Sequence, residues 1–167
     1  MKIELRKIEY FERGSEETSC YAAKVYVDGK HVADVSNDGH GGCDYQHPAK
    51  GFNHAYLVEL EKRIAAEFPA PFEIEGKPVP ADLESVCGDL LTEALIAKDL
   101  KRSLGRQLLF VTKDKPGVRC LSLSQRGKKF PVETVAAHIR GKYPDATILN
   151  TLPLPEALAI YRKDGAA

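Results

Sequence analysis

The chain has 167 residues, enough to bury a sizeable core without disulfides or metal, and its hydrophobic (43%) and charged (29%) fractions are typical of a folded globular protein. No apolar run approaches the roughly 20 residues of a membrane span, and the N-terminus alternates charged and apolar residues instead of forming a signal-peptide core. The four cysteines form no CxxC pair, which is typical of free thiols in a reducing compartment. We therefore expect a single domain over residues 1–167, located in the cytoplasm.

The formal net charge is zero, but the two ends of the chain differ in sign. Residues 1–97 contain 10 Lys and Arg against 18 Asp and Glu, a net charge of −8, and residues 98–167 contain 14 against 6, a net charge of +8. The two parts could attract each other within one fold. They could also present faces of opposite sign, of which the basic one would attract phosphates or an acidic partner.

The first part of the chain predicts three strands, at residues 2–12, 18–27 and 30–35. The alternation of apolar residues slips by one position in the first strand, which predicts a bulge near Arg6. Asp28 and Gly29 separate the second and third strands and predict a type I′ turn, because both central residues of that turn need positive φ. Such a hairpin would place Val25 opposite Val32.

Three helices are predicted from apolar residues that recur every three or four positions, at residues 52–68, 83–104 and 131–143. Pro155 predicts the start of a short fourth helix, at residues 155–161. The connector between the first two helices is rich in proline and apolar residues, and could carry a short edge strand at residues 72–75. Residues 107–113 and 118–124 predict a second hairpin, and residues 146–150 a further strand. The expected fold class is α+β, an antiparallel sheet built from two hairpins packed against about four helices.

A glycine-rich stretch at residues 35–54 concentrates the residues that bind metals or transfer protons. His40, Cys43 and His47 have H-x2-C-x3-H spacing, and imidazole and thiolate are suitable zinc ligands. Asp38 or Asp44 could complete the shell or orient a histidine. The spacing is not that of a standard zinc finger or ribbon, and a surface loop whose histidines bond to backbone or water is the alternative.

Two other chemistries have a partial signature in this stretch. The order of strand, glycine-rich loop and helix is loosely that of phosphate cradles, but the glycines match neither phosphate-binding fingerprint and Asp38 would repel an anion. Cys43 with His40 or His47 could form a thiolate–imidazolium pair, but no oxyanion-hole pattern accompanies it. No catalytic residue is assigned. The predicted binding loop comprises Asn37, Asp38, His40, Cys43, Asp44 and His47.

The basic end of the chain predicts a second candidate surface, formed by Lys98, Lys101, Arg102, Arg106, Arg126, Lys128 and Lys129. Clustered Lys and Arg residues neutralise phosphates with a salt-dependent affinity, so this surface could bind nucleic acid. Aromatic residues for base stacking are sparse there, which argues against sequence-specific reading. A solvated face, part of which complements the C-terminal dipole of the second helix, is the alternative.

Residues 26–42 (YVDGKHVADVSNDGHGG) and 95–104 (LIAKDLKRSL) resemble small, uncharacterised proteins of bacteriophages and prophages. The resemblance implies a phage or mobile-element origin and carries over no catalytic residue. We therefore expect a non-enzymatic intracellular accessory protein, without a cofactor and without a membrane partner, that binds a host protein or nucleoprotein complex. The alternative is a small metal-dependent hydrolase or nuclease that uses zinc bound by His40, Cys43 and His47.

Overall fold

The computed structural model describes residues 1–165, which divide into two compact units. The first unit is Met1–Thr92 and the second begins at Glu93, so the boundary falls within a long helix. A single domain over residues 1–167 stays a prediction. The change of sign in the sequence follows this boundary closely: residues 1–92 contain 10 Lys and Arg against 17 Asp and Glu, a net charge of −7, and residues 93–167 contain 14 against 7, a net charge of +7.

The first unit is built on a four-stranded antiparallel meander in the order β1-β2-β3-β4, with bounds Ile3–Tyr10, Tyr21–Val27, Lys30–Asn37 and Tyr45–Pro48. Alternate residues of β2 are buried and form the inner face of the sheet, namely Tyr21, Ala23, Val25 and Val27. The intervening residues, among them Lys24, are only partly buried. The sheet therefore has one core face and one polar face, as antiparallel sheets commonly do.

The β2–β3 hairpin confirms the predicted tight turn, since Asp28 and Gly29 both have positive φ (48° and 81°). The predicted pairing of Val25 with Val32 is wrong. A register shift in β3 leaves Val32 as an extra residue, and Ala33 lies opposite Val25. The predicted bulge in β1 is confirmed, because the register shifts between Arg6 and Glu9 and the intervening Lys7 has φ 54°.

Helix α1 (His54–Glu67) follows the sheet and buries Leu57, Leu60 and Ile64. Its N-terminus is capped by Asn53, whose side chain accepts a hydrogen bond from the amide of Tyr56 at 3.0 Å. The connector that follows contains a two-stranded hairpin, β5 (Phe72–Ile74) and β6 (Lys77–Val79), where one short strand was predicted. Helix α2 (Leu83–Leu104) then crosses the boundary between the units.

The second unit contains a three-stranded antiparallel sheet in the order β11-β7-β8 and a small separate hairpin, β9–β10. The strands are β7 (Gln107–Val111), β8 (Arg119–Ser122), β9 (Ser124–Gln125), β10 (Lys128–Lys129) and β11 (Thr147–Ile148). Two helices complete the unit, α3 (Val132–Lys142) and α4 (Leu154–Gly165). The predicted strand at residues 146–150 is thus only two residues long, and a 3-10 turn follows it.

Strand β7 is the centre of the second unit because both of its faces are buried. Leu108 and Phe110 pack in a cluster with α3, including Val135 and Ile139. Leu109 packs in a second cluster with residues of α2 and α4. The unit therefore has three layers, with α3 on one face of the sheet and α4 with the end of α2 on the other.

The α+β fold class predicted from the sequence is confirmed, with antiparallel sheets and four helices among the described residues. Each of the two predicted hairpins belongs to its own sheet. Within residues 1–165, no helix is both long enough and apolar enough to cross a membrane.

Candidate functional site

Asn37 closes the glycine-rich loop between β3 and β4 and is the one buried polar side chain in the part of the chain that the structure describes, at 7% exposure. Its Oδ1 accepts hydrogen bonds from Thr18 Oγ1 at 2.7 Å and from the Gly39 amide at 2.9 Å. Its Nδ2 donates to the Gly42 carbonyl at 3.2 Å and to Asp44 Oδ1 at 3.1 Å. The amide group thus uses both donors and both acceptor positions to hold the loop.

Gly39 fixes the loop against the preceding turn. Its carbonyl oxygen accepts hydrogen bonds from three successive backbone amides, of residues 16, 17 and 18, at 3.0, 2.9 and 3.2 Å. Gly39 has φ +88°, and a Cβ at this position would lie 1.9 Å from the carbonyl oxygen of Gly14. Only glycine satisfies both the positive φ and the close approach of the two backbone segments.

Asp44 ends the loop and is held from two sides. It accepts hydrogen bonds from Asn37 Nδ2 and from the hydroxyl of Tyr21, which is buried. Burial, followed by this hydrogen bond, raises the pKa of Tyr21 well above its usual range, so the phenol stays protonated. Asn37 and Asp44 of the predicted binding loop therefore face each other and shape the loop.

The three predicted zinc ligands are placed separately. The His40 side chain is exposed with its Nδ1 3.4 Å from Glu16 Oε2, and Cys43 is an exposed free thiol. His47 lies on β4 opposite Asp34 of β3. Among residues 1–165, no three His, Cys, Asp or Glu side chains lie close enough to hold a metal ion. The zinc site and the metal-dependent alternative stay predictions.

His47 instead borders a shallow depression of about 320 Å3 on the polar face of the four-stranded sheet. Asp34 at its side accepts hydrogen bonds from Lys24 Nζ at 2.6 Å and His31 Nε2 at 3.1 Å. Lys24, followed by His31, lowers the pKa of Asp34. Opposite charges on paired strands could have revealed the Lys24–Asp34 contact, given the register.

The predicted basic surface is exposed throughout and divides into two groups. Lys98, Lys101 and Arg102 lie near the C-terminal end of α2 and are followed by Arg106, and Arg102 bonds to Asp99 at 2.6 Å. Arg126, Lys128 and Lys129 lie on the β9–β10 hairpin, and none of these three forms an ion pair with another described residue. The hairpin therefore carries an uncompensated positive charge.

A groove of about 540 Å3 lies beside this hairpin, between it, β8 and α3. Its lining consists of Leu121, Ser122, Ser124, Gln125, Phe130, Thr134, Val135 and His138. Leu121 pairs with the buried Leu108 of β7 but is itself 41% exposed. The core cluster beneath α3 contains residues of β7 and β11 but not Leu121. The groove thus has an apolar floor, hydroxyl groups on its walls and no carboxylate in its lining.

Cationic side chains lie next to residues that line the groove. Arg119 is two residues before Leu121 on β8, and its guanidinium lies 4.5 Å from the ring centroid of Tyr143 and donates a hydrogen bond to its hydroxyl at 2.9 Å. This hydrogen bond lowers the pKa of Tyr143. Lys142 Nζ lies 5.5 Å from the same ring. Lys128 Nζ lies 5.7 Å from the ring centroid of Phe130, which lines the groove.

Comparison with protein-family models, curated proteins and solved structures finds no significant match to this chain.

The groove was missed by reasoning from the sequence, although its basic rim was not. Leu121 has the alternation of a buried strand residue, and its exposure depends on how far α3 extends across the sheet. Thr134 and His138 share one side of α3 because they are four residues apart, which is the only local signal that this side of the helix is polar. Neither signal predicts a groove unless the packing of α3 against the sheet is already known.

Proposed function

We propose that the protein is a non-enzymatic accessory protein that binds a partner protein, and that the groove of the second unit is the contact. The observation that carries this proposal is the groove whose lining contains Leu121, Phe130 and Val135 but no carboxylate, with Arg119 and Lys128 next to lining residues. Apolar area surrounded by a charged rim is typical of protein-binding surfaces, and the positive rim favours an acidic partner.

The resemblance of residues 26–42 and 95–104 to phage and prophage proteins supports a host protein, or the protein part of a host nucleoprotein complex, as the partner. Such a partner would be met in the cytoplasm of the host cell. The net charge of +7 on residues 93–167 would accelerate association with an acidic partner.

A partner protein fits the groove better than a nucleic acid does. Binding of single strands relies on exposed aromatic side chains on which bases stack. In the described part of the second unit, the exposed large hydrophobic residue is Leu121, which is aliphatic. Phe130 and Tyr143 are partly buried and pack against the core beneath α3. An aliphatic floor accommodates an apolar side chain of a protein.

The glycine-rich loop is less suited than the groove to be the contact with a partner protein. The hydrogen-bonding groups of the Asn37 side chain are all used by the loop and by Thr18, and Asp44 is held by Asn37 and Tyr21. His40 and Cys43 of the predicted binding loop are exposed, and neither lines the groove. We assign the loop a shaping role and the groove the primary contact.

Fluorescence anisotropy with labelled poly-L-glutamate at low salt tests the proposal. We expect binding that weakens as salt is added, and that falls about tenfold in a Lys128→Ser/Lys129→Ser variant, which corresponds to about 1.4 kcal/mol. The control is Lys62→Ser/Arg63→Ser, which removes two charges from the exposed Lys62 and the partly buried Arg63 of α1 and should leave binding unchanged.

Absence of binding at low salt would overturn the proposal, as would an equal loss of affinity in the control. A labelled oligo(dT) provides the other arm of the experiment. Tighter binding of oligo(dT) than of poly-L-glutamate, lost in the hairpin variant, would replace the partner protein by a nucleic acid.

A further inference from the structure

We infer that the groove binds an extended acidic peptide, which adds to β8 as a further strand and places one apolar side chain against Leu121. This inference rests on the proposed function, because it names the segment by which the partner protein is bound. Three observations support it: the edge of β8, the position of Leu121 and the arrangement of the cations.

Strand β8 is an edge of its sheet, and in the part of the chain that the structure describes it pairs with β7 alone. Half of the backbone N–H and C=O groups of an edge strand point away from its neighbour and can pair with another chain. Natural edges are usually protected by Lys, Pro or a bulge. β8 has none of these: its single charge is Arg119 at its first position, and Cys120, Leu121 and Ser122 are all exposed.

The groove lies on the face of β8 that carries the Leu121 side chain. Side chains of a strand alternate between the two faces of the sheet, so every second residue of an added peptide would face the groove. One apolar side chain among these residues would cover Leu121, which is 41% exposed. The volume of about 540 Å3 is within the range of about 300–1,000 Å3 found for small-ligand sites.

The cations require acidic side chains on both sides of that apolar residue. Arg119 lies two residues before Leu121 on the same face of β8, and Lys128 lies over the ring of Phe130, which lines the groove. Arg119 donates from one nitrogen to Tyr143 and from another to Thr112 at 3.3 Å, which leaves further guanidinium donors for a carboxylate. The groove-facing pattern of the peptide is therefore acidic, apolar, acidic.

The probe that follows from this pattern is a synthetic peptide, Thr-Glu-Thr-Phe-Thr-Glu-Thr, whose glutamates and phenylalanine share one face when it is extended. Cys120 is an exposed thiol on β8, next to Leu121 in the chain and therefore on the other face of the sheet. Cysteine is placed in turn at each peptide position, and disulfide formation is measured with a Cys43→Ser protein. This change removes the other exposed cysteine among the described residues.

We expect disulfides with Cys120 where cysteine replaces a threonine aligned with it, and not where cysteine replaces a glutamate or the phenylalanine. The yield should therefore alternate with a period of two along the peptide, because paired strands bring Cα atoms to about 4.5–5.5 Å, within disulfide range. Two peptides are compared, each with N-methyl groups on one of the two alternate sets of amides. The set that faces β8 should weaken binding at least about tenfold, because that peptide cannot complete the ladder, and the other set should not.

The strand addition would be overturned if the disulfide yields showed no period of two. If poly-L-glutamate still bound through Lys128 and Lys129, the proposed function would remain intact. Equal binding of the two N-methylated peptides would also overturn the strand addition. Loss of both peptide and poly-L-glutamate binding would overturn the proposed function itself.

Discussion

Replacement of Asn37 by aspartate tests the account of the glycine-rich loop most sharply, because the side chain changes by one atom. The new carboxylate loses the Nδ2 donor that now serves the Gly42 carbonyl at 3.2 Å and Asp44 Oδ1 at 3.1 Å. Two lost hydrogen bonds cost about 1 kcal/mol each, and the repulsion between two carboxylates in contact adds up to about 4 kcal/mol near a protein surface. We expect Asn37→Asp to lower the free energy of unfolding by about 3–5 kcal/mol at neutral pH.

The pH dependence of this loss has a definite sign. The neighbouring carboxylate disfavours the charged form of the carboxyl group introduced at position 37, so its pKa in the folded variant is raised and the folded variant binds more protons than the unfolded chain. Its stability therefore falls as pH rises through the folded pKa, and the difference from the unsubstituted protein is smallest in acid. Urea denaturation followed by far-UV circular dichroism measures it at each pH.

The exchanged pair Asn37→Asp/Asp44→Asn supplies the control. The amide at position 44 can donate to the new carboxylate and still accept from Tyr21, whereas the Gly42 carbonyl continues to face an acceptor. We expect a coupling energy of about 2–3 kcal/mol and incomplete recovery of stability. An Asn37→Asp variant as stable as the unsubstituted protein at neutral pH, or a double variant that recovers nothing, would refute this account.

Three further outcomes are expected. Gly39→Ala should lower the free energy of unfolding by about 3 kcal/mol or more, because φ is positive and the new Cβ would lie 1.9 Å from a backbone carbonyl oxygen. Gly42→Ala should lower it by only about 1 kcal/mol in the same urea assay, because φ is positive but the new Cβ would meet no atom within 4 Å. Arg119→Leu should raise the pKa of Tyr143 towards its ordinary value. Ultraviolet titration of the phenols measures this pKa, and a Tyr143→Phe variant identifies the signal of Tyr143. An unchanged titration would contradict the hydrogen bond. Elemental analysis should find less than one zinc ion per chain, and the zinc content should be the same in a Cys43→Ala variant. One zinc ion per chain that is lost in this variant would instead favour the metal site.

Local patterns predicted most of the fold. Asp28 and Gly29 were sufficient for the first hairpin, because few residues tolerate positive φ at two successive positions. The apolar spacing of Leu57, Leu60 and Ile64 identified α1 and its buried face. Strand β4 was missed because four residues ending in proline carry little alternation, and its pairing with β3 depends on the loop that Asn37 holds.

Tertiary contacts decided what the sequence could not predict. The register of the first hairpin depends on a bulge at Val32, whose residue type is equally suited to a regular strand. Arg126, Lys128 and Lys129 were found from their charge alone, and they are exposed as expected. The groove beside them requires that α3 leave Leu121 uncovered, which is a property of packing between elements and has no sequence signature.

Amide chemical-shift mapping by NMR tests the central claim most directly, because it reports every backbone position at once. On titration with the peptide Thr-Glu-Thr-Phe-Thr-Glu-Thr, we expect the largest shifts at residues 119–125 and 134–138, with slower hydrogen exchange of the β8 amides that point away from β7. Shifts concentrated at residues 37–44, with the groove unaffected, would contradict the account and transfer the binding site to the glycine-rich loop.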